Sequence, residues 1–229
     1  MLEVIVQNGE EAKQAEEVGA DRLELVAAIQ EGGLTPSYGT IKQVLNSVSI
    51  PVQVMIRPHS HHYFYKENEI QIIHEDIKKV IDLGGTGIVF GALNDDYTIN
   101  ERVLENMVEK FPTIDITFHR AFDEVASQKK AYQMLITYKN HVKRILTSGG
   151  QTNCMDGEQQ LSELVKMANE REGPAIMPGA GLSPENIQAV HEAVRAEQYH
   201  FGKAVRVDQS FAKGFDARII RDIKKILIK

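Results

Sequence analysis

The feature that most constrains this chain is a repeated alternation between short aliphatic runs and longer amphipathic stretches. Eight short runs, bounded by Gly, Pro or Asp, predict β-strands. They cover residues 2–6, 22–26, 51–57, 87–91, 115–120, 144–149, 175–181 and 198–203. Longer stretches with apolar residues three and four positions apart predict helices, as in residues 70–83, 103–111, 161–170 and 219–228. Strand and helix therefore alternate along the whole chain.

This order predicts an α/β fold, a (β/α)8 TIM-type barrel that forms a single domain over residues 1–229. Eight strand–helix units in a chain of this length give a repeat of about 28 residues, and right-handed crossovers would close the barrel in sequence order. The main alternative is a doubly wound open sheet, which normally has a glycine-rich phosphate loop after its first strand. Residues 2–11 contain one glycine, and the glycines of residues 84–91 precede a strand. Both facts argue against that alternative.

Two dipeptides predict the starts of helices. Thr35-Pro36 and Ser183-Pro184 each place a hydroxyl at an expected N-cap and a proline in the first turn. A proline is tolerated there because the first N–H groups of a helix have no partner within it.

The composition limits the binding partners and the cellular compartment that we expect for this chain. A formal net charge of -6, from 26 Lys and Arg against 32 Asp and Glu, argues against nucleic acid or an anionic membrane as a partner. Residues 1–13 lack a basic region followed by an apolar run, and no apolar run approaches about 18 residues, so we expect no leader and no membrane span. Cys154 is the single cysteine, which predicts a chain without disulfides in a reducing compartment. We expect a cytoplasmic protein.

Ionisable residues written into three predicted strands point to an active site at the C-terminal barrel mouth, where TIM-type barrels carry their chemistry. Glu24 and His119 are a candidate acid and base, provided that their pKa values lie near neutrality. Arg57 is a candidate clamp for a carboxylate or a phosphate. Asp123 is the fourth catalytic candidate, expected to orient Arg120 or His119. Because neighbouring strand residues face opposite sides, His119 rather than Arg120 is predicted to face the barrel axis.

A structural interpretation of the same residues stays open. Burying an unpaired ionisable group costs several kcal/mol, about 3–5 kcal/mol for one partner of a broken ion pair. Glu24, Arg57 and Asp123 could therefore form a buried salt-bridge network instead of a catalytic site. In either case these side chains should converge.

The loops after the seventh and eighth strands predict an anion site for a small anionic metabolite. Strand seven ends in PGAGLSPENI and strand eight in FGKAVR, so glycines would let backbone N–H groups approach a phosphate beside a helix N-terminus. The loop after strand six would add a third wall. The candidate anion-binding residues are Ser148, Gly149, Gly179, Ala180, Gly181, Gly202 and Lys203. The alternative to an anion site is that Gly179 and Gly181 only form a tight turn and that the Lys203 side chain is solvated.

Four residues are candidate metal ligands. His59, His61 and His62 follow Arg57 in the stretch MIRPHSHHYF, and Cys154 lies in the loop GGQTNCMDGEQ. None of the histidine spacings puts a pair on one helical face, as positions i and i+4 would. The histidines predict either a loop that binds Zn²⁺ or Cu²⁺ weakly or a solvated loop.

Seven motifs, in order, carry a family resemblance that runs nearly end to end: GADRLEL, EGGLTPS, VMIRP, GIVFGALN, TFHRAFD, ILTSGG and IMPGAGL. They resemble the CutC family of copper homeostasis proteins. The resemblance implies a TIM-type barrel, a cytoplasmic location, a homodimer or higher homo-oligomer, and a role in copper tolerance or copper ion binding, with copper as the implied cofactor. The family's proposed Cu(I) ligands are cysteines in the first two strands. Here Val26 occupies one such position and LEVIVQN has no cysteine, which argues against direct Cu(I) binding there.

Three functions remain open on the sequence. The first is a copper-associated homeostasis protein, and the second is a barrel enzyme acting on a small phosphorylated or carboxylated metabolite by isomerisation, aldol-type cleavage or hydrolysis. The third is a non-catalytic metabolite sensor or scaffold.

Overall fold

The computed structural model describes residues 1–227, which form eight parallel strands and eight α-helices in strict alternation. The strands are β1 (Leu2–Val6), β2 (Arg22–Leu25), β3 (Val52–Met55), β4 (Gly87–Phe90), β5 (Asp115–Phe118), β6 (Val142–Thr147), β7 (Ala175–Pro178) and β8 (Tyr199–Phe201). The helices are α1 (Gly9–Glu17), α2 (Tyr38–Leu45), α3 (Glu67–Asp82), α4 (Glu101–Lys110), α5 (Gln128–Leu135), α6 (Glu158–Arg171), α7 (Ile187–Val194) and α8 (Ala217–Leu227). The helix predicted at 219–228 thus begins two residues earlier, and Ile228 lies outside the described residues.

The strands form one barrel. Their hydrogen-bonded order is β7-β6-β5-β4-β3-β2-β1-β8, so β8 pairs with β1 and every other strand pairs with its neighbour in sequence. β7 and β8 lie in contact where the barrel closes. A Cβ added to Gly179, which follows β7, would lie 3.2 Å from the Cβ of His200 in β8. The (β/α)8 prediction is confirmed, and the doubly wound alternative is wrong. Within residues 1–227, no helix is long and apolar enough to cross a membrane.

Strand register divides the side chains between two layers. Residues such as Leu2, Val4 and Leu23 point outward and pack in one large apolar cluster with the helices. The intervening residues point into the barrel, where parallel neighbours place them in register. Many of these buried inward residues are polar: Glu3, Arg22, Glu24, Gln53, Thr117, Arg144 and His200. The barrel interior therefore contains a set of charges below the mouth.

Both predicted N-caps are displaced. Ser37, not Thr35, caps α2, because Thr35 is paired with the backbone of Arg57: its N–H donates to the Arg57 carbonyl and its hydroxyl accepts the Arg57 N–H at 2.8 Å. Ser183 begins a turn in which the Asn186 side chain accepts the Ser183 N–H, also at 2.8 Å. As a result α7 starts one turn later than predicted, at Ile187.

Candidate functional site

A cavity of about 570 Å³ opens at the C-terminal ends of the strands. It brings together three of the four predicted catalytic residues, which come from β2, from the segment after β3 and from the segment after β5. It also contains predicted anion-binding residues from the loops after β7 and β8. The predicted residues in its wall are Glu24, Arg57, His119, Ala180, Gly181, Gly202 and Lys203. The remaining wall includes apolar side chains, among them Ile5, Met55 and Phe211.

Glu24 is a buried carboxyl in the cavity wall. Its Oε2 lies 3.7 Å from Nε2 of His200, and its buried Oε1 has no hydrogen-bond partner among residues 1–227. Burial raises the pKa of Glu24 to about 7, even though the charge of His200 opposes the change. Glu24 therefore meets the condition set by its sequence assignment, a proton-exchanging group with a pKa near neutrality.

His119 lies directly after β5 and is also buried. Its Nδ1 accepts the N–H of Ala121 at 3.2 Å, which assigns the proton to Nε2, and Nε2 has no partner within residues 1–227. Burial, followed by the charge of Arg57, lowers the pKa of His119 to about 3. The structure therefore changes the predicted role of His119 from a base to a neutral hydrogen-bond donor. Because β5 ends at Phe118, Arg120 also reaches the cavity wall beside His119.

Arg57 is a buried cation that no carboxylate neutralises in the described part of the chain. Its guanidinium donates to the carbonyls of Glu31 and Ser60 at 3.3 Å and to that of Gly33 at 3.4 Å. The same group lies over the ring of Tyr63, with 4.9 Å between Cζ and the ring centroid. Neutral carbonyls and an aromatic face hold the guanidinium in position but leave its positive charge available to an anion.

The loops after β7 and β8 present free backbone donors. Within residues 1–227, the N–H groups of Ala180, Gly181, Gly202 and Lys203 donate no hydrogen bond. Ala180 has φ of 85° and Gly181 has φ of 73°, so the chain turns through two successive left-handed residues at the cavity wall. A non-glycine residue in that region is strained, and such strain is concentrated at functional sites.

Four predicted site residues lie behind the cavity wall. Asp123 accepts from the hydroxyl of Thr147, from the N–H and hydroxyl of Ser148, from Nε of Arg120 and from the N–H of Gly150. With its oxygens so engaged, it positions Arg120 and the end of β6. The N–H of Ser148 is used by Asp123, that of Gly149 by Thr147, and that of Gly179 by the carbonyl of Thr147. Asp123 thus orients Arg120, as the sequence predicts, from a position outside the cavity wall. The N–H groups of Ser148, Gly149 and Gly179 are engaged within the protein, which does not support the anion-binding role predicted for them.

The predicted salt-bridge network of Glu24, Arg57 and Asp123 is wrong, because no ion pair joins these three among residues 1–227. The interior contains a different network. Glu3 pairs with both Arg22 and His200, and His200 reaches Glu24. Sequence reasoning missed Glu3, Arg22 and His200, although each carries the signal that identified Glu24, an ionisable residue inside an aliphatic strand.

Comparison with known proteins decides the family. A sequence model of the CutC family matches residues 1–205. This chain belongs to the CutC family. The human protein named copper homeostasis protein cutC homolog is 37% identical over 200 residues, 87% of this chain and 72% of that protein. The crystal structure of CutC from Streptococcus agalactiae superposes with a TM-score of 0.80 at 30% identity, covering 88% of this chain and 97% of that chain.

A more distant structure shares only the fold of this CutC chain. Phosphoribosyl anthranilate isomerase from Thermotoga maritima superposes with a TM-score of 0.65 at 13% identity, over 99% of this chain and 98% of that chain. At that identity the similarity confirms the barrel and carries no statement about chemistry.

The donors that this CutC chain offers do not fit a Cu(I) site. Cys154 is buried, and its thiol donates to the carbonyl of Gly179 at 3.1 Å. Burial, with a further contribution from the charge of Asp123, raises the pKa of this thiol to about 12, so it is not a thiolate at neutral pH. The thioether of Met177 accepts a hydrogen bond from Arg22 at 3.1 Å, beside a positive charge. The metal assignment of Cys154 is corrected.

The histidine loop does not gather its ligand atoms either. His59 packs against His61 and His62, with ring centroids 5.3 and 4.7 Å apart, and its Nε2 contacts Glu69 at 2.9 Å. In residues 1–227, the one group of three or more His, Cys, Asp or Glu side chains close enough to share an ion is Glu3, Glu24 and His200. The three loop histidines are therefore not a preformed metal site.

The group of Glu3, Glu24 and His200 is also poorly suited to a metal. Arg22 and His200 each donate a hydrogen bond to one carboxylate oxygen of Glu3. Within this group, that leaves the other ring nitrogen of His200 and the carboxylate of Glu24 to coordinate a metal. Protein zinc sites normally use three or four protein ligands. We therefore interpret this group as a network of ionisable side chains.

The same network predicts how stability depends on pH. The raised pKa values of Glu24 and His200 mean that their contribution to stability is present at low pH. The part from Glu24 is lost as pH rises through about 7, and the part from His200 is lost as pH rises above the usual pKa of a histidine. Burial alone would raise the pKa of Glu3, but Arg22 and His200 lower it to about 2, so its contribution is lost only in strong acid. At about 1.4 kcal/mol per pKa unit, we expect the free energy of unfolding to fall by about 1–3 kcal/mol between roughly pH 5 and pH 8.

Urea denaturation at intervals across that pH range measures this decline in the wild type and in two variants. Glu24→Gln should reduce the decline in the free energy of unfolding. Glu17→Gln, the control at an exposed glutamate, should leave that decline unchanged. A wild-type stability that rises over the range would contradict the assignment.

Proposed function

We propose that this CutC-family chain binds a small phosphorylated or carboxylated metabolite at the barrel mouth and exchanges a proton with it. The observation that carries the proposal is the content of one cavity. It combines the unneutralised cation Arg57 and the free N–H groups of Ala180 and Gly181 with two groups suited to proton chemistry, Glu24 and His119. Anion-binding donors and acid–base groups in one water-accessible cavity are the components of an active site.

The protonation states of Glu24 and His119 favour proton transfer next to a carbonyl group. At neutral pH a substantial fraction of Glu24 is ionised and can take a proton from a carbon adjacent to the substrate carbonyl, whose electron pair then moves onto the oxygen. The neutral His119 can donate its Nε2–H to that oxygen as negative charge develops. On a substrate with a hydroxyl on the carbon that lost its proton, Nε2 of His119 then recovers a proton from that hydroxyl while Glu24 returns its proton to the former carbonyl carbon. The carbonyl and the hydroxyl have then exchanged positions, both side chains regain their starting state, and no other reactant is needed.

Inorganic phosphate titrated calorimetrically into the protein, in a buffer without other polyvalent anions, tests the binding part of the proposal. We expect binding to the wild type and an affinity about tenfold lower in Lys203→Ala, because one charge-assisted hydrogen bond contributes about 1.5–3 kcal/mol. Lys213→Ala is the matched control, since that exposed lysine of the same loop already pairs with Asp208. Absence of phosphate binding in the wild type, or equal loss in both variants, would refute the proposal.

The same titrations with candidate carbonyl metabolites separate an enzyme from a sensor. An enzyme should exchange substrate C–H for deuterium in D₂O, and Glu24→Gln should abolish that exchange while preserving binding. A sensor would bind the metabolite without exchange.

The names of the relatives place them in copper homeostasis, and we propose that this chain shares the role without holding Cu(I) on Cys154. The buried thiol and the charged neighbour of Met177 support this proposal. We expect Cys154→Ser to retain as much Cu(I) as the wild type against a competing chelator. Stoichiometric copper that survives the chelator in the wild type and is lost in Cys154→Ser would contradict it.

We also propose a cytoplasmic location and a homodimer or higher homo-oligomer. The support is the family membership and the single, buried, unpaired cysteine. Cell fractionation and light scattering test the two statements separately.

A further inference from the structure

Glu3 fixes the orientation of His200 from below the cavity. It is completely buried; Nε of Arg22 donates to one of its oxygens, and Nδ1 of His200 donates to the other at 2.8 Å. Arg22 keeps Glu3 ionised, and an ionised carboxylate can only accept hydrogen bonds. The Nδ1 of His200 must therefore carry a proton, and any change in protonation takes place at Nε2.

The Nε2 of His200 is directed toward Glu24. The separation of 3.7 Å from Oε2 lies within ion-pair range and beyond a hydrogen bond, so a small side-chain rotation would close it. The second oxygen of Glu24 is buried and has no hydrogen-bond partner in the described part of the chain, and Glu24 and His200 both line the cavity. A continuous series of groups thus leads from Glu3 in the barrel interior to the cavity.

We propose that Glu24 and His200 share one exchangeable proton, that Glu3 is the positioning residue for the imidazole, and that His200 relays the proton that Glu24 exchanges with a ligand. The proton moves between Nε2 and Oε2, converting imidazolium and carboxylate into imidazole and carboxylic acid, so the total charge of the pair is unchanged. The catalytic meaning of the relay rests on the proposed function, whereas the shared proton is a property of the protein alone.

The surrounding charges favour such a pair. The charges that act on the pair are Glu3 from β1 and Arg22 from β2, and the wall of the same cavity also contains Glu31, Arg57, Arg120 and Lys203. Glu3 and Glu24 raise the pKa of His200 against the effect of burial, and burial raises that of Glu24. Two groups whose pKa values converge in this way titrate as a unit, with the proton held by the pair.

Long-range ¹H–¹⁵N NMR of histidine-labelled protein reads the protonation of each ring nitrogen, with the His200 signals assigned from a His200→Gln spectrum. In the wild type we expect Nδ1 to stay protonated throughout a pH titration while Nε2 titrates. Removing a neighbouring carboxylate changes a pKa by about 1–3 units, so Glu24→Gln should lower the midpoint at Nε2 by at least about one unit. Glu3→Gln should lower it as well and release the fixed Nδ1–H tautomer.

The control is Glu69→Gln, which removes a partly buried carboxylate 2.9 Å from His59 and should leave the His200 titration unchanged. A His200 midpoint that neither Glu24→Gln nor Glu3→Gln alters would overturn the proposal. If Glu3→Gln does not fold, Glu3→Asp and Glu24→Gln decide the question. Phosphate titration of the same samples reports the anion site independently, so failure of the relay and failure of the proposed function are distinguishable.

Discussion

Replacing Arg57 with alanine is expected to lower the affinity of the cavity for inorganic phosphate by about 10- to 100-fold, the equivalent of one or two charge-assisted hydrogen bonds. The reason is that Arg57 is a buried cation of the mouth, held by carbonyls and by the face of Tyr63, and no carboxylate among residues 1–227 neutralises it. Removing its charge should also raise the pKa of His119, because Arg57 contributes to lowering it. Calorimetry measures the first effect and histidine NMR the second.

Two further variants make this result specific. Arg57→Lys retains the charge but not the planar guanidinium, so we expect an intermediate affinity. Arg120→Ala removes a cation that also lines the cavity but is partly exposed and paired with Asp123, and its effect should be smaller. Circular dichroism of each variant confirms that the fold is intact. An unchanged phosphate affinity in a folded Arg57→Ala protein would contradict the assignment.

Arg206→Met should destabilise the protein by about 3–5 kcal/mol, the cost of leaving a partly buried carboxylate and two carbonyls without their buried cation. Arg206 is 1% exposed, and it joins three separate segments. Its guanidinium contacts Glu11 of α1 at 2.6 Å and the carbonyls of Ile5 and Lys213 at 2.9 Å, and it lies 4.3 Å from the ring centroid of Phe215. Urea denaturation measures the loss.

The consequence reaches the cavity, because Arg206 fixes the start of the loop that contributes Gln209 and Phe211 to the wall. The matched control is Lys213→Ala, which removes an exposed ion pair with Asp208 and should cost less than about 1 kcal/mol. Equal stability of Arg206→Met and the wild type would show that the buried arginine does not anchor this loop.

The architecture could be predicted from sequence because it depends on local periodicity. The strand predicted at residues 2–6 is confirmed at both ends, and the helix predicted at 161–170 lies within α6. The strand predicted at 51–57 is shorter, Val52–Met55, because Ile56 and Arg57 continue beyond the last paired residue. The sequence carries no signal that distinguishes extended backbone after a strand from the residues that pair within the sheet.

Site residues could be predicted only where an ionisable side chain stands in an otherwise aliphatic strand. Glu24 and Arg57 stand out in aliphatic runs and do line the cavity. Glu3 and His200 have the same signal, but their contact depends on the pairing of β1 with β8, 197 positions apart in the chain. Asp123 has no such signal, and its role depends on the hydroxyls and N–H groups after β6.

The most direct test of the central claim is a crystal structure of the protein grown without sulfate or phosphate and then soaked in inorganic phosphate. We predict one phosphate at the mouth, bound by the N–H groups of Ala180, Gly181 and Gly202 and by the side chains of Arg57 and Lys203. A mouth without phosphate, in crystals that carry the ion only on exposed surface lysines, would contradict the account.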